Sequence, residues 1–431
     1  MWKFFNSRSN QLYNLNFYQK KRNAILPSNG FIYGSILTIV DKGKELILMP
    51  LFIILLGIKG YGLYTQIILI GSVLSIFTTC GINISVMRFQ HLGKNKNDEI
   101  SVLLKVLTIS ILTTAFIWFF IGKWIIQLFA LPVETKYLSF CIAILFSLKS
   151  VIVGHYRASE QYRKIINYFT TYEISEMCVL ASISFFNVYI ELINILIIFL
   201  CIRCMSVTHS LIDIKPNLSL KFNQAIIWDR IVFGISFIPK DLFLWLGHSA
   251  DRFIISYLMG PSAVGVYASI YKIASIVKFL SQPITFTCFP ILAKTWDTSE
   301  RSVFKKVKWK YAGQYLLLSI PVLMIFIFIP DNFISLLSIE LVHTKGLLIW
   351  ISMGLIIHTI QVLTGFYVYI FSQQVWRYTV IISCTNSLGL FLQYYFLLKW
   401  QLIGAAFGSF ILYFVLWLIV LIDSSNIQKR Y

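Results

Sequence analysis

Acidic side chains are scarce in this 431-residue chain, and charged side chains of either sign are few. Only 18 residues are Asp or Glu, against 37 Lys and Arg, and charged residues make up 13% of the chain. A typical soluble domain carries about 25% charged residues, which cover its surface. This shortage, with a hydrophobic fraction of 58% and a mean hydropathy of +0.76, excludes a soluble fold. The sequence predicts a membrane protein.

Several signatures of enzymes are also missing. The sequence contains no GxxxxGK[ST] phosphate loop, so nucleotide hydrolysis is not expected. The six histidines lack metal-ligand spacing, so neither a metal nor a bound cofactor is predicted. The seven cysteines lie almost wholly in apolar runs, where thiols pack as small hydrophobic groups, and no disulfide framework is expected. Short outer loops leave no room for a catalytic domain, so we expect no catalytic residues and no enzyme.

Long apolar runs make up most of the chain. About 20 apolar residues span the hydrocarbon core of a bilayer as a helix. The runs are continuously apolar, whereas the strands of a membrane barrel alternate apolar and polar residues. The sequence therefore predicts an all-α polytopic membrane protein of twelve transmembrane helices. The runs lie at approximately 31–57, 62–86, 103–130, 137–156, 167–188, 190–212, 228–258, 263–292, 312–337, 344–371, 377–398 and 402–422.

One glycine-rich segment occurs twice, 203 residues apart. Gly57–Tyr64 is repeated without a gap as Gly260–Tyr267. Internal repeats of this kind are typical of secondary transporters, in which the substrate path lies between the halves. Because six helices per half is an even number, both halves have the same orientation, and a pseudo-twofold axis along the membrane normal relates them. We predict a cytoplasmic arm at 1–30, six-helix bundles at 31–213 and 228–422, a cytoplasmic linker at 214–227 and a cytoplasmic tail at 423–431.

Positive charge is distributed unevenly between the two sides of the predicted membrane domain. With the N-terminus inside, cytoplasmic segments hold 24 Lys and Arg residues, Arg203 among them, whereas the opposite loops hold only Lys59, Lys136, Lys345 and Lys399. This asymmetry predicts that both termini are cytoplasmic. We interpret the cluster Arg301–Lys310 as a loop that faces anionic lipid, not as a nucleic-acid site. Residues 1–30 lack the apolar core of a cleaved signal peptide, and an amphipathic surface segment or a disordered tail is expected there.

Charged residues inside the apolar runs are the candidates for function, because each costs free energy unless it faces a partner or water. Helix 1 holds Asp41, Lys42, Lys44 and Glu45, roughly 15–21 Å from its cytoplasmic end. These residues can neutralise one another at i,i+3 spacing. Four adjacent charges nevertheless span more than one helix face, which favours a polar cavity beside them.

The second half of the chain also carries intramembrane charge. Lys240 and Asp241 follow Pro239, which is expected to kink helix 7. His248, Asp251 and Arg252 lie further along this helix, and helix 8 adds two lysines with no acid within one turn. We predict that a cationic cleft between the halves is lined by Lys42, Lys44, Lys240, Arg252, Lys272 and Lys278.

A second group of charges lies on helices 4 and 5. Lys149 and the pair Glu173 and Glu176 lie about 10–15 Å from the cytoplasmic ends of their helices, so antiparallel neighbours bring them level. We favour a buried ion pair between the two helices, and ion coupling is the alternative. The same two interpretations, structural pairing and ion coupling, apply to Asp41, Glu45, Asp241 and Asp251.

The repeated segments resemble a known family. The stretch from Pro50 through Tyr61-Gly62-Leu63-Tyr64 to Gly81-Ile82-Asn83 is similar to the first helical hairpin of Wzx-type polysaccharide flippases, in the multidrug/oligosaccharidyl-lipid/polysaccharide (MOP) exporter superfamily. Asp251-Arg252, Gly260, Val264–Tyr267 and Pro290 resemble the helix 7–8 region of that family. The cluster around Asp41 and Glu45 has no counterpart in the family pattern.

The resemblance implies a bacterial inner-membrane protein that flips an undecaprenyl-diphosphate-linked oligosaccharide, such as an O-antigen unit, by alternating access. The implied partners are this lipid-linked oligosaccharide, the lipid bilayer, and a polysaccharide polymerase and chain-length regulator of the same pathway. No cofactor is expected, and a proton or sodium gradient is the candidate driving force. One alternative is a cation-coupled drug or small-molecule antiporter of the same superfamily, which would favour an acidic cavity. A membrane glycosyltransferase or polymerase is the other, and it would need a large outer loop with catalytic residues.

Overall fold

The computed structural model describes residues 29–89, 96–129, 131–159, 161–186, 189–216, 224–235, 237–298, 301–330, 341, 344–372 and 374–430. Residues 1–28 of the predicted arm and residues 217–223 of the predicted linker lie outside these residues. The side chains of Asp41 and Lys42 are likewise outside the described set, although their backbone belongs to the first helix.

The described residues of the first half are mostly helical. Its longest helix, α1, runs from Asn29 to Thr79 and is broken at Gly57, which has φ +67°. The others are α2 (Ile82–Phe89), α3 (Lys96–Leu128), α4 (Thr135–Ala158), α5 (Tyr162–Ile165), α6 (Thr171–Phe185) and α7 (Leu192–Ile214). A π-turn at Ile166–Thr170 joins α5 to α6 without a loop.

The second half repeats this arrangement. Its helices are α8 (Gln224–Ile235), α9 (Ile238–Ser249), α10 (Asp251–Met259), α11 (Pro261–Ala274), α12 (Ile276–Phe279), α13 (Ser281–Thr298), α14 (Arg301–Phe328), α15 (Lys345–Gln361), α16 (Tyr367–Phe371) and α17 (Val375–Arg430). A π-turn at Val362–Phe366 joins α15 to α16. The longest helix, α17, is broken at Trp400 and Gln401.

These helices account for twelve membrane crossings. Eight stretches of the described chain are long and apolar enough to span a bilayer. Two of them, Gly43–Thr79 with 37 residues and Val375–Gln428 with 54, each contain a break and cross twice, since about 20 residues suffice for one crossing. The paths 162–185 and 261–298 supply the remaining two. The predicted fold class of two six-helix bundles is confirmed.

Glycines bring the two halves into backbone contact. A Cβ atom on Gly62 would lie 1.9 Å from the carbonyl oxygen of Pro261, and one on Gly265 would lie 2.1 Å from that of Ile58. A Cβ on Gly234 would lie 2.1 Å from the carbonyl oxygen of Cys80. The first two contacts join α1 to α11, and the third joins the turn that follows α1 to α8.

One predicted boundary is wrong. The ninth crossing is Arg301–Phe328, not 312–337, because its first three turns carry the charges that a hydropathy window discards. The cluster Arg301–Lys310 is therefore helix and not loop, and Lys308 is buried, with Nζ 2.9 Å from the carbonyl oxygen of Thr364. Near Pro239, α8 ends at Ile235 and α9 begins at Ile238, with the proline in the first turn of α9.

Candidate functional site

A cavity of about 420 Å³ lies between the two halves. The first half contributes its walls through α1, α4, α6 and α7, and the second half through α9 to α13. Aromatic side chains form the wall beside the Gly57 break, where Phe52 and Tyr64 stack with ring centroids 4.3 Å apart. Tyr61 and Tyr271 add two further rings to the lining. Aromatic side chains therefore form one part of the cavity wall.

The charge of the cavity wall is predominantly positive. Five cations line it, from both halves of the chain, and two carboxylates accompany them. With His248 neutral, the lining carries an excess of three positive charges. The cations are Lys44, Arg203, Arg252, Lys272 and Lys278, and the carboxylates are Glu45 and Glu176.

Glu176 lies at the first-half wall between two of these cations. Lys44 on α1 places its Nζ atom 3.1 Å from Glu176 Oε2, and Arg203 on α7 places a guanidinium nitrogen 3.6 Å from the same oxygen. The guanidinium also lies over the ring of Phe199, 4.1 Å from its centroid. Three helices of the first half are thus held together by one carboxylate.

Glu45 links the two halves. Its carboxylate forms an ion pair with Lys272 of α11, and both side chains line the cavity. Both remain about one-third exposed, at 34% for Glu45 and 31% for Lys272. This ion pair connects the two halves at the cavity wall.

Arg252 is held by groups of its own half. One guanidinium nitrogen donates to the carbonyl oxygen of His248 at 2.9 Å, and the ring of Tyr271 lies 4.2 Å from the guanidinium carbon. Asp251, 3.6 Å from the same guanidinium, accepts a hydrogen bond of 2.7 Å from the hydroxyl of Tyr267. Asp251 is not part of the cavity lining. Its contacts with Arg252 hold the guanidinium in place.

A second cavity of about 410 Å³ adjoins the first. It shares Glu45, Phe146 and Arg203 with the central cavity and extends to Arg157 in the last turn of α4. The two cavities therefore lie side by side. Under the predicted orientation Arg157 is cytoplasmic, so the second cavity extends towards the cytoplasmic face.

The structure brings together four of the six cations predicted for the cleft: Lys44, Arg252, Lys272 and Lys278. Lys42 has no described side chain. Lys240 is not among the residues that line the cavity. Its Nζ atom lies 3.2 Å from Asp241 Oδ1 and faces the ring of Phe237. On α9 the first residue that lines the cavity is His248. At 1.5 Å per residue it lies roughly 12 Å along the helix from Lys240.

Lys149 contacts one of its two suggested partners. Its Nζ atom lies 2.5 Å from Glu173 Oε1, and the side chain of Glu173 is only 8% exposed. Glu176, the other suggestion, is engaged by Lys44 and Arg203 instead. Lys149 therefore joins α4 to α6 beside the second cavity, which it also lines.

Arg203 is the site residue that sequence reasoning missed. The charge count assigns it to a cytoplasmic segment, but it lies in the middle of α7, eleven residues from Leu192 and eleven from Ile214. Its distance from both ends of the apolar run was the available signal, because a charge at that depth needs a partner or water. No group of three His, Cys, Asp or Glu side chains forms a metal site among the described residues.

One family model matches most of the chain. Residues 54–338 match the family described as polysaccharide biosynthesis protein. The matched segment includes both copies of the glycine-rich repeat and most of the cavity lining. The chain therefore belongs to the polysaccharide biosynthesis protein family. No curated protein sequence matches it.

Solved structures share the fold at low sequence identity. An inward-facing multidrug resistance MATE family transporter of the MOP superfamily superimposes with a TM-score of 0.68 at 11% identity, covering 90% of this chain and 95% of that chain. The lipid II flippase MurJ, in an inward closed conformation, gives 0.66 at 15% identity, with coverage of 90% and 87%. An outward-facing MATE transporter of the same superfamily gives 0.61 at 12% identity, with coverage of 93% and 96%. The predicted resemblance to the MOP superfamily is confirmed at the level of the fold, and the chain is a multi-pass membrane protein.

Proposed function

We propose that this member of the polysaccharide biosynthesis protein family is a flippase for a lipid-linked oligosaccharide in the bacterial inner membrane. Its cargo carries a diphosphate between a prenyl chain and the sugars. The cations of the central cavity hold the diphosphate during transit, the prenyl chain stays in lipid, and alternating access exposes the cavity to each leaflet in turn. Both chain termini lie in the cytoplasm.

The excess of three positive charges in the cavity lining is the observation that carries this proposal. A diphosphate leaving water loses its hydration across about 30 Å of hydrocarbon, and Lys and Arg supply charge-assisted hydrogen bonds in its place. An anionic head group is therefore better matched to this cavity than a cationic drug. The fold is shared by a lipid II flippase and by multidrug transporters, so the lining, and not the fold, distinguishes the two cargoes.

The test is surface polysaccharide export in cells that lack this protein and carry one variant at low expression. Lys272→Gln and Lys278→Gln should each reduce export and increase the amount of lipid-linked oligosaccharide inside the cell. Arg at the same positions should retain more export than Gln, because it keeps the charge. Protein level and membrane insertion should match those of the wild type.

Lys306→Gln is the matched control. Lys306 is an exposed lysine of α14 outside the cavity lining, and its loss should leave export unchanged. Full export by both cavity variants would contradict the cationic mechanism. A deletion strain with normal surface polysaccharide but greater sensitivity to cationic drugs would favour the antiporter.

A further inference from the structure

Glu176 is a buried carboxylate whose counter-charges both belong to the cavity lining. Its side chain is 2% exposed, and Lys44 and Arg203 are the two cations paired with it. Glu176 Oε1 and Arg203 Nε are buried and have no hydrogen-bond partner among the described residues. The charge of the Glu176 carboxylate is thus balanced by two cations, while its Oε1 atom accepts no hydrogen bond from the described residues.

Groups on three helices face Glu176 besides those on its own. The first-half elements packed around it carry charges of both signs, and the adjacent turn of α6 carries a second carboxylate that Lys149 already engages. Tyr64 is the neutral titratable group on this wall. The groups are Lys44, Glu45 and Tyr64 from α1, Lys149 from α4, Glu173 from α6 and Arg203 from α7.

The two carboxylates of the cavity differ in what happens when their cations leave. Glu45 is 34% exposed, so water can solvate its charge if Lys272 turns to a ligand. Glu176 is 2% exposed, so no comparable hydration is available. A buried carboxylate that loses its counter-charge is strongly destabilised, and it removes this penalty by taking up a proton.

We propose that Glu176 is a proton-binding site that exchanges its counter-charge for a proton when an anionic head group binds in the cavity. Lys44 and Arg203 turn from Glu176 to the phosphate oxygens, and a proton from the buffered solvent adds to a carboxylate oxygen of Glu176. When the anion leaves, the cations return and the proton is released to water. This inference rests on the proposed function, because it requires that the cavity bind an anion.

Anion binding and proton uptake are therefore linked. Since the complex holds a proton that the free protein does not, binding must weaken as pH rises, by about tenfold per pH unit for each proton taken up. The cargo would thus enter with a proton and leave with it.

The experiment uses the purified full-length protein in lipid nanodiscs, with farnesyl diphosphate as a soluble probe of the prenyl diphosphate group. Isothermal titration calorimetry in buffers of different ionisation enthalpy gives the protons taken up per bound probe. The wild type should take up about one more proton than Glu176→Gln near neutral pH. Glu191→Gln, at an exposed position outside the cavity lining, is the control and should take up as many protons as the wild type. Titration of the probe itself cancels in these differences.

A measurement on the wild type guards against a variant that fails to fold. Binding of the probe should produce the infrared carbonyl band of a protonated carboxylic acid in the difference spectrum. Equal proton uptake by wild type and Glu176→Gln, or absence of this band while the probe binds, would overturn the inference and leave the proposed anion site standing. Failure of the wild type to bind the probe at any pH would overturn the proposed function and this inference with it.

Discussion

Gly62 and Gly265 occupy equivalent positions in the two halves, and each lies against the backbone of the other half. Gly62 lies against Pro261, and Gly265 lies against Ile58. Ile58 and Pro261 are 203 residues apart, and so are Gly62 and Gly265. The two contacts are therefore related by the same internal repeat. Reciprocal contacts of this kind are those that a twofold axis produces. The two repeated segments thus meet at the pseudo-twofold axis that relates the halves.

Alanine at either glycine should destabilise the protein. A new Cβ would lie 1.9 Å or 2.1 Å from a carbonyl oxygen, and overpacking of this kind costs typically about 1–3 kcal/mol. Gly62→Ala and Gly265→Ala should therefore lower the thermal unfolding midpoint of the purified protein. Gly313→Ala is the control, since nothing lies within 4 Å of its Cβ position. Equal midpoints for Gly62→Ala and Gly313→Ala would contradict the close backbone approach.

Orientation in the membrane can be tested by cysteine labelling. With the native cysteines replaced, Lys59→Cys and Lys399→Cys should react with a membrane-impermeant thiol reagent added to intact cells, whereas Lys305→Cys should react only after lysis. All three positions are exposed, so access to the reagent is set by the membrane. Labelling of Lys305→Cys in intact cells would reverse the predicted topology.

The ion pair of α4 and α6 predicts a specific charge reversal. Breaking a buried pair from one side costs about 3–5 kcal/mol, and less here because Lys149 is 28% exposed. Lys149→Glu should therefore reduce the folded, membrane-inserted yield, and adding Glu173→Lys should restore it. Adding Glu176→Lys should not, since that carboxylate is paired with Lys44 and Arg203. Recovery through Glu176 alone would show that the pairing is misassigned.

Arg203 should be required for export although the sequence places it with cytoplasmic charges. Arg203→Gln removes a cation from the cavity wall, and a charge-assisted hydrogen bond worth about 1.5–3 kcal/mol predicts a loss of roughly tenfold or more in export. Arg203→Lys should retain more activity. Arg163→Gln, at an exposed position in α5, should behave as the wild type. Normal export by Arg203→Gln would remove this residue from the anion site.

The class of protein and its internal symmetry follow from properties that can be counted along the chain. The length of an apolar run sets the number of crossings, because a bilayer has a fixed thickness. The offset between Gly57–Tyr64 and Gly260–Tyr267 marks the two halves. The cost of burying charge in lipid singles out Lys44, Arg252, Lys272 and Lys278 as candidates. These inferences need no knowledge of which helices touch.

The pairing of those charges was decided by tertiary structure alone. Lys44 reaches Glu176 on α6, Glu45 reaches Lys272 in the other half, and Lys240 lies outside the lining. Such contacts depend on how each helix is rotated about its axis. In a soluble protein an amphipathic pattern reveals that rotation, but lipid is as apolar as the core, so a continuously apolar run has no face that distinguishes the two. The sequence by itself therefore determined which charges must find partners within the membrane, and only helix packing decided which partners they found.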